Sequence, residues 1–150
     1  MSAVLPPTSI LFACNLNRVR SPMAAALMRR RFGDSVRIDS CGLRPADSVD
    51  PFAVAVIDEL GVDLSGHEPK SFDSLDGQVF DLVVSLSPEA HDRAGEFCRD
   101  RRIRFEYWPV SDPTLVEGTR DQRIEAYRLA RDGIDRRLAE RFGQAPTFRG

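Results

Sequence analysis

Short apolar runs alternate along the chain with segments of helical periodicity. The apolar runs are typical of buried β-strands, and they lie at 9–13, 36–40, 80–86 and 103–108. The other segments are typical of amphipathic α-helices, and they lie at 22–32, 50–60, 88–101 and 119–141. Because strands that alternate with helices build a parallel sheet covered on both faces, we expect an α/β fold with three layers, α/β/α, and a four-stranded parallel sheet. Right-handed crossovers make the flavodoxin-like arrangement the simplest topology.

Residues that begin and end helices mark the predicted boundaries. Ser21 is the expected N-cap of the first helix, with Pro22 in its first position and Gly33 at its end. Asp50 and Gly61 bracket the second helix in the same way. The last helix carries one apolar stripe, made by Ile124, Tyr127, Ile134 and Leu138.

The length and composition are those of one folded domain. The chain has 150 residues, of which 42% are hydrophobic and 29% charged, so a packed core is expected rather than disorder. We therefore expect a single domain over 1–150, with loose ends at 1–7 and 144–150. The formal net charge of -2, with the arginines at 29–31 on an otherwise mixed helix, offers no basic surface for nucleic acid.

Neither a membrane segment nor a metal site is predicted. No apolar stretch approaches the roughly 20 residues that span a bilayer, and 1–7 lacks the regions of a signal peptide. The three cysteines, at 14, 41 and 98, are odd in number and widely spaced, which fits a reducing cytoplasm rather than a disulfide framework or a zinc site. His67 and His91 lie far apart without ligand spacing, so no metal or other cofactor is expected.

The segment 14–21 joins the first strand to the first helix, and this position indicates an anion site. The first turn of a helix has main-chain N–H groups without intrahelical partners and the positive end of the helix dipole. A loop that curves its N–H groups inward can surround a tetrahedral oxyanion. The phosphate-binding residues predicted on this basis are Asn15, Leu16, Asn17, Arg18, Val19, Arg20 and Ser21.

Cys14 is the candidate nucleophile of this loop. Near a helix N-terminus and a fixed cation, the pKa of a cysteine thiol falls from about 8.5 to roughly 3.5–7.5. Arg20 supplies a permanent cation whose N–H groups match two phosphate oxygens, and Ser21 could donate its hydroxyl to the thiolate. The alternative is a small buried apolar residue at a strand end. The strand before Cys14 and the helix after Ser21 favour the catalytic interpretation.

Residues 10–27 resemble the opening of low-molecular-weight protein tyrosine phosphatases and of the arsenate reductases that share their fold. The motif Cys-x-x-Asn-x-x-Arg-Ser of these enzymes is complete in Cys14, Asn17, Arg20 and Ser21. The similarity covers nearly the whole chain, with further matches at 40–42, 63–67, 81–84, 112–113 and the last helix.

This resemblance implies a cysteine-dependent phosphomonoester hydrolase that works through a cysteinyl-phosphate intermediate. Its substrate would be a phosphorylated protein or a small phosphomonoester, and its site would also bind phosphate or another oxyanion. The resemblance further implies that Asn17 braces the loop by side-chain hydrogen bonds, with His67 as its partner. From the local sequence alone, His67 would be a surface loop residue.

Asp112 is the candidate general acid. It follows the fourth predicted strand by a few residues, and the carboxyl ends of parallel strands share one edge of the sheet. A carboxylic acid there can protonate the leaving oxygen and then act as a base on water. Asp-Pro is also a common turn pair, but the family's general acid lies in this pair. Other acids, such as Asp39, Asp50 and Asp81, are expected to be caps or surface charges.

The chain departs from the family pattern at several positions, and these leave alternatives open. Thr114 and Leu115 stand where tyrosine phosphatases of this family usually have aromatic residues, which weakens the case for phosphotyrosine. Leu16 replaces a common glycine and Val19 a frequent second cysteine. An arsenate reductase that uses an external small thiol is the alternative function. A phosphate-sensing or phosphopeptide-binding module without turnover is a third, which the intact catalytic set disfavours.

Overall fold

The computed structural model describes residues 6–99, 101 and 103–143. The described strands are β1 (Ser9–Cys14), β2 (Arg37–Gly42), β3 (Leu82–Ser85) and β4 (Arg104–Tyr107). The described helices are α1 (Arg20–Phe32), α2 (Pro51–Asp58), α3 (Pro88–Arg99) and α4 (Arg120–Phe142). They form a four-stranded parallel sheet with helices on both faces, so the predicted α/β/α fold is confirmed.

The order of the strands decides where a ligand can bind. The sheet runs β2-β1-β3-β4, with β1 paired to β2 on one side and to β3 on the other. The chain therefore moves to one side of β1 first and to the other side afterwards. In folds of this kind, ligands bind beyond the carboxyl ends of the strands at the point where the direction reverses. Cys14 is the last residue of β1 and lies at that point.

Side chains of β1 alternate between two hydrophobic clusters on opposite faces of the sheet. Ile10 and Phe12 pack with residues of α1, α2 and α4, whereas Leu11 and Ala13 pack with α3 and residues 72–83. All six residues of β1 are buried, as expected for the centre of a parallel sheet. The predicted stripe of α4 is buried in the first cluster, which confirms the orientation of that helix.

The predicted N-cap of the first helix is wrong. Helix α1 begins at Arg20, and Val19 is its N-cap without a side-chain capping bond. Ser21 lies inside the first turn. Its hydroxyl is hydrogen-bonded with the Cys14 sulfur and is therefore unavailable for capping. Pro22 is the third helical residue and not the first, and it is tolerated there because first-turn N–H groups have no intrahelical acceptor.

The remaining element boundaries differ from the predictions by a few residues. Helix α3 ends at Arg99 instead of residue 101, and β2 extends to Gly42, where it pairs with the end of β1. Residues 100 and 102, and most of the predicted loose ends (1–5 and 144–150), lie outside the described residues. None of the described helices combines the length and the apolarity that a membrane crossing needs.

Gly42 lets the end of β2 approach the loop that follows β1. A Cβ atom at this position would lie 2.7 Å from the Asn17 nitrogen and 2.9 Å from the Leu16 carbonyl carbon. Both are main-chain atoms, which cannot rotate away as a flexible side chain can. The close contact between β2 and the loop therefore requires a residue without a side chain at position 42.

Replacing Gly42 by alanine should destabilise the protein by roughly 1–3 kcal/mol, the typical cost of overpacking. Gly133 in α4 has nothing within 4 Å of an added Cβ, and it serves as the matched control. Gly133→Ala should raise the free energy of unfolding by up to about 1 kcal/mol, because alanine is the better helix former. Urea unfolding measures both variants, and equal stabilities would contradict this packing.

Candidate active site

A neighbouring segment of main chain holds the carbonyl groups of the loop after β1 by hydrogen bonds. The carbonyl oxygens of Cys14, Asn15, Leu16 and Arg18 accept hydrogen bonds from main-chain N–H groups of the segment 43–50, at 2.9–3.3 Å. In a trans peptide the C=O of one residue and the N–H of the next point in opposite directions. The N–H groups that follow these carbonyls therefore point away from the segment 43–50, toward the inside of the loop.

The inward N–H groups are available to an anion. Among the described residues, no protein acceptor takes a hydrogen bond from a main-chain N–H of residues 15–21. N–H groups that are shielded from water need a partner, and an oxyanion has the acceptors to supply it. The start of α1 adds the positive end of its dipole to the same place. The loop thus has the form of an anion cradle.

Asn17 holds the loop in shape from a fully buried position. Its backbone has a φ of 51°, the left-handed conformation that asparagine tolerates better than most residues. Its Nδ2 donates to the hydroxyls of Ser21 (2.8 Å) and Ser40 (3.0 Å), and its Oδ1 accepts from the Lys70 N–H at 2.9 Å. The amide group is thereby bonded on both sides, as a buried polar group requires.

The Cys14 thiol lies 2.9 Å from the Ser21 hydroxyl. The Ser21 oxygen accepts from Asn17, and its one proton has two acceptors within reach: the sulfur at 2.9 Å and the Cys41 carbonyl at 3.4 Å, of which the sulfur is nearer. A hydrogen bond to a thiolate stabilises the charged form of the sulfur, both when it attacks and when it leaves. The side chain of Cys14 is otherwise enclosed by the apolar cluster that includes Val19 and Met23.

His67 supports the loop from the outer side. Its Nε2 lies 3.0 Å from the Asn17 carbonyl oxygen, and since a carbonyl can only accept, Nε2 carries the hydrogen. Burial lowers the pKa of His67, with further lowering from nearby Lys70 and Arg29, so the ring is neutral around pH 7. The neutral tautomer with a proton on Nε2 still makes this bond. His67 thus lies against Asn17, but it contacts the main-chain carbonyl of Asn17 and not the side-chain amide.

Arg20 connects the cradle to the segment after β4. Its Nη1 donates to the Val110 carbonyl at 2.8 Å, and its Nη2 lies 3.9 Å from Asp112 Oδ2. The guanidinium is nearly buried, so its charge is only weakly screened by water. Asp112 stands before the 3₁₀ turn Pro113–Leu115 and is partly exposed.

The predicted nucleophile, cation and acid border one small cavity of about 100 Å³. Its lining residues are Cys14, Leu16, Arg18, Val19, Arg20, Asp112 and Thr114. A larger groove of about 560 Å³, between the segment 108–116 and α4, shares Asp112 with this cavity, but neither Cys14 nor Arg20 lines it. We therefore take the small cavity as the candidate active site.

Asn15 and Asn17 contribute main-chain N–H groups to the site, because their side chains are bonded elsewhere. The Asn15 side chain accepts a hydrogen bond from Ser87 at 2.6 Å, and the Asn17 side chain is engaged in the support of the loop. Ser87 also accepts from the Ala90 N–H, so it joins the start of α3 to the cradle. This role of Ser87 has no signal in the sequence, because Ser87 and Asn15 are 72 positions apart.

Asp50 is more than the helix cap that the sequence predicts. It does cap α2 through the Phe52 N–H, but it is buried and also bonded to Arg18 (3.0 Å) and to the Tyr127 hydroxyl (2.9 Å). Burial raises the pKa of Tyr127, and the Asp50 carboxylate raises it further, so the phenol stays a donor. Through Asp50, α2 and α4 together hold the side chain of Arg18 at the cavity.

Cys41 and Cys98 lie in the cluster on the opposite face of the sheet from Cys14. Burial raises the pKa of Cys41 strongly and that of Cys98 to about 11, so both are neutral thiols around pH 7. This arrangement fits the prediction that they are packing residues. Within the ranges that the structure describes, no cluster of His, Cys, Asp and Glu has the composition of a metal site.

Comparison with known proteins assigns the family. The family model for low molecular weight phosphotyrosine protein phosphatases matches residues 9–142. The arsenate reductase of Bacillus subtilis (strain 168) is 31% identical over 131 residues, 87% of this chain and 92% of that protein. A solved arsenate reductase in the phosphate binding state has a TM-score of 0.68 at 26% identity, over 89% of this chain and 95% of that one. The Erwinia amylovora tyrosine phosphatase amsI shares the fold, with a TM-score of 0.73 at 21% identity over 91% of each chain. The resemblance is thus confirmed, and the chain belongs to the low molecular weight phosphotyrosine protein phosphatase family.

Proposed function

We propose that this protein hydrolyses phosphomonoesters, with Cys14 as the nucleophile, Arg20 as the phosphate clamp and Asp112 as the general acid. The observation that carries the proposal is the convergence of these three side chains on one cavity, at the mouth of the loop 15–21. A module that only binds phosphate needs the cradle and the cation but neither the thiol nor the acid. The presence of all three favours an enzyme.

The first step transfers the phosphoryl group to sulfur. The N–H groups of 15–21 and the guanidinium of Arg20 hold the three non-bridging oxygens, and the Cys14 thiolate attacks phosphorus from the floor of the cavity. The bond between phosphorus and the ester oxygen breaks while the sulfur–phosphorus bond forms. Asp112 gives its proton to the departing oxygen, because an alkoxide or phenoxide leaves poorly.

The second step releases phosphate. Asp112, now a carboxylate, takes a proton from a water molecule whose oxygen attacks the phosphorus atom of the cysteinyl phosphate. The sulfur–phosphorus bond breaks and Cys14 leaves as a thiolate. The hydroxyl of Ser21, 2.9 Å from the sulfur, stabilises this leaving group. Inorganic phosphate then departs, and the enzyme returns to its starting state, with Asp112 carrying the proton that it took from the water molecule.

The substrate class is a phosphorylated protein or a small phosphomonoester. Thr114 borders the cavity and Leu115 is 76% exposed, so neither supplies an aromatic wall for a phenyl ring. Each missing aromatic contact removes roughly 0.5–1.5 kcal/mol of stacking. A shallow preference for phosphotyrosine follows from this difference. A catalytic free thiol also suits a reducing compartment such as the cytoplasm.

Arsenate reduction is the second candidate, because the curated relatives cited above include an arsenate reductase. Arsenate has the shape and charge of phosphate and fits the same cradle. The two electrons that convert it to arsenite would come from Cys14 and an external thiol, which end as a mixed disulfide. Cys41 and Cys98 are neutral and lie across the sheet, which disfavours them as the second thiol. Phosphatase and arsenate assays with several small thiols, run in parallel, distinguish the two activities.

Cys14→Ser should abolish turnover of an aryl phosphate while the protein stays folded, since the two side chains differ little in size. Phosphate should still bind, because the N–H groups and Arg20 remain. Cys98→Ser is the matched control, and it should retain activity because Cys98 lies on the other face of the sheet. Steady-state rates and phosphate titration by calorimetry measure these effects. Residual Cys14→Ser activity within about tenfold of the parent enzyme would exclude Cys14 as the nucleophile, since covalent catalysis contributes far more.

Asp112→Asn should slow the first step most where the leaving oxygen is most basic. For phenyl phosphate we expect a loss of about 10²–10⁴-fold, the range typical of general acid catalysis. For an ester with a very acidic leaving group, the loss should be small. Single-turnover rates are needed, because slow hydrolysis of the intermediate would hide the difference. An equal loss for every leaving group would mean that Asp112 is not the acid.

A further inference from the structure

We infer that Thr114 is a positioning residue for Asp112, and that its hydroxyl fixes Oδ2 as the oxygen that carries the catalytic proton. The inference rests on the proposed function, since it assigns a role through the general acid. It concerns the residue after Asp-Pro, the place where the sequence departs from the aromatic residues usual in the family.

Thr114 makes two hydrogen bonds to one oxygen of Asp112. Its main-chain N–H donates to Oδ1 at 2.9 Å and its hydroxyl donates to the same Oδ1 at 2.7 Å. The other oxygen, Oδ2, lies on the side of Arg20, with its nearest guanidinium nitrogen at 3.9 Å. The carboxyl group is thus oriented with one oxygen toward the turn and the other toward the phosphate clamp.

Two donors on Oδ1 decide where a proton can sit. A carboxylic acid has one O–H donor, and its second oxygen remains an acceptor. A proton on Oδ1 would meet the two hydrogens that Thr114 already directs at this atom, so the proton belongs on Oδ2. From there it faces the cavity that contains Cys14 and Arg20. The same oxygen is then free to accept a proton from water in the second step.

The Thr114 hydroxyl restricts the rotation of the Asp112 carboxyl group, which the main-chain N–H alone does not. With only the N–H of Thr114, the carboxyl group can rotate and exchange its two oxygens, as it can in any Asp-x-x turn. A second donor from the side chain holds the plane of the carboxyl group. Proton transfer depends steeply on such alignment, because the donor must stay within hydrogen-bond reach of the leaving oxygen.

Thr114→Val tests this inference, because valine keeps the shape and the main-chain N–H but lacks the hydroxyl. We expect the single-turnover rate on phenyl phosphate to fall roughly tenfold, the effect of one hydrogen bond to a carboxyl group. The rate on dinitrophenyl phosphate, whose leaving group needs no proton, should change less than about twofold. Thr114→Ser, which restores the hydroxyl, should return the phenyl phosphate rate to near that of the parent enzyme.

A double variant shows whether Thr114 acts through Asp112. Thr114→Val in the Asp112→Asn background should cause no further loss on phenyl phosphate, since the proton that it positions is gone. An additive loss, an equal loss on both esters, or an effect on KM alone would make Thr114 a simple wall of the cavity and overturn the inference. If Asp112→Asn itself shows no dependence on the leaving group, the acid assignment fails and the inference fails with it. If only Thr114→Val lacks that dependence, the proposed function stands and the inference alone is wrong.

Discussion

The left-handed backbone of Asn17 is the constraint on which the site depends. A loop that turns its carbonyls outward and its N–H groups inward needs a residue with positive φ, and the buried side chain of Asn17 stabilises that turn. Its amide joins Ser21 in α1 to Ser40 in β2 and to the main chain at Lys70. Three separate parts of the fold thereby meet at one side chain. Ser21, held in this way, is also the group that reaches the sulfur of Cys14.

Other parts of the molecule support this loop, and this support restricts which residues can stand at several positions. Gly42 allows β2 to approach the loop closely, and the segment 43–50 occupies the outward carbonyls. Asp50 binds Arg18 from a buried position, which would be unfavourable without its charged and polar partners. Hydrogen bonds within the protein therefore fix the orientation of the donors for an oxyanion, as electrostatic catalysis requires.

The elements were predictable from local pattern, because apolar runs and helical periodicity reflect the burial of each segment. The position of Cys14 at the end of a buried strand followed from the same pattern, and that of Asp112 from the shared edge of parallel strands. The resemblance to a family supplied the roles of Asn17 and His67 and supported that of Asp112. The N-cap prediction failed at Ser21, since a tertiary contact with Cys14 outweighed its local preference for capping. The bonds of Asp50 to Tyr127 and of Ser87 to Asn15 join residues more than 70 positions apart, and nothing in a single sequence indicates such pairs.

The covalent intermediate offers the most direct test of the central claim, that Cys14 attacks phosphorus within the cradle. The enzyme is mixed with an aryl phosphate, quenched in acid within one turnover, digested and examined by mass spectrometry. The account predicts one phosphoryl group on the peptide that contains Cys14, attached through sulfur, and its loss when the reaction runs to completion. A phosphoryl group on another residue, or rapid turnover with no labelled peptide at any time, would contradict it.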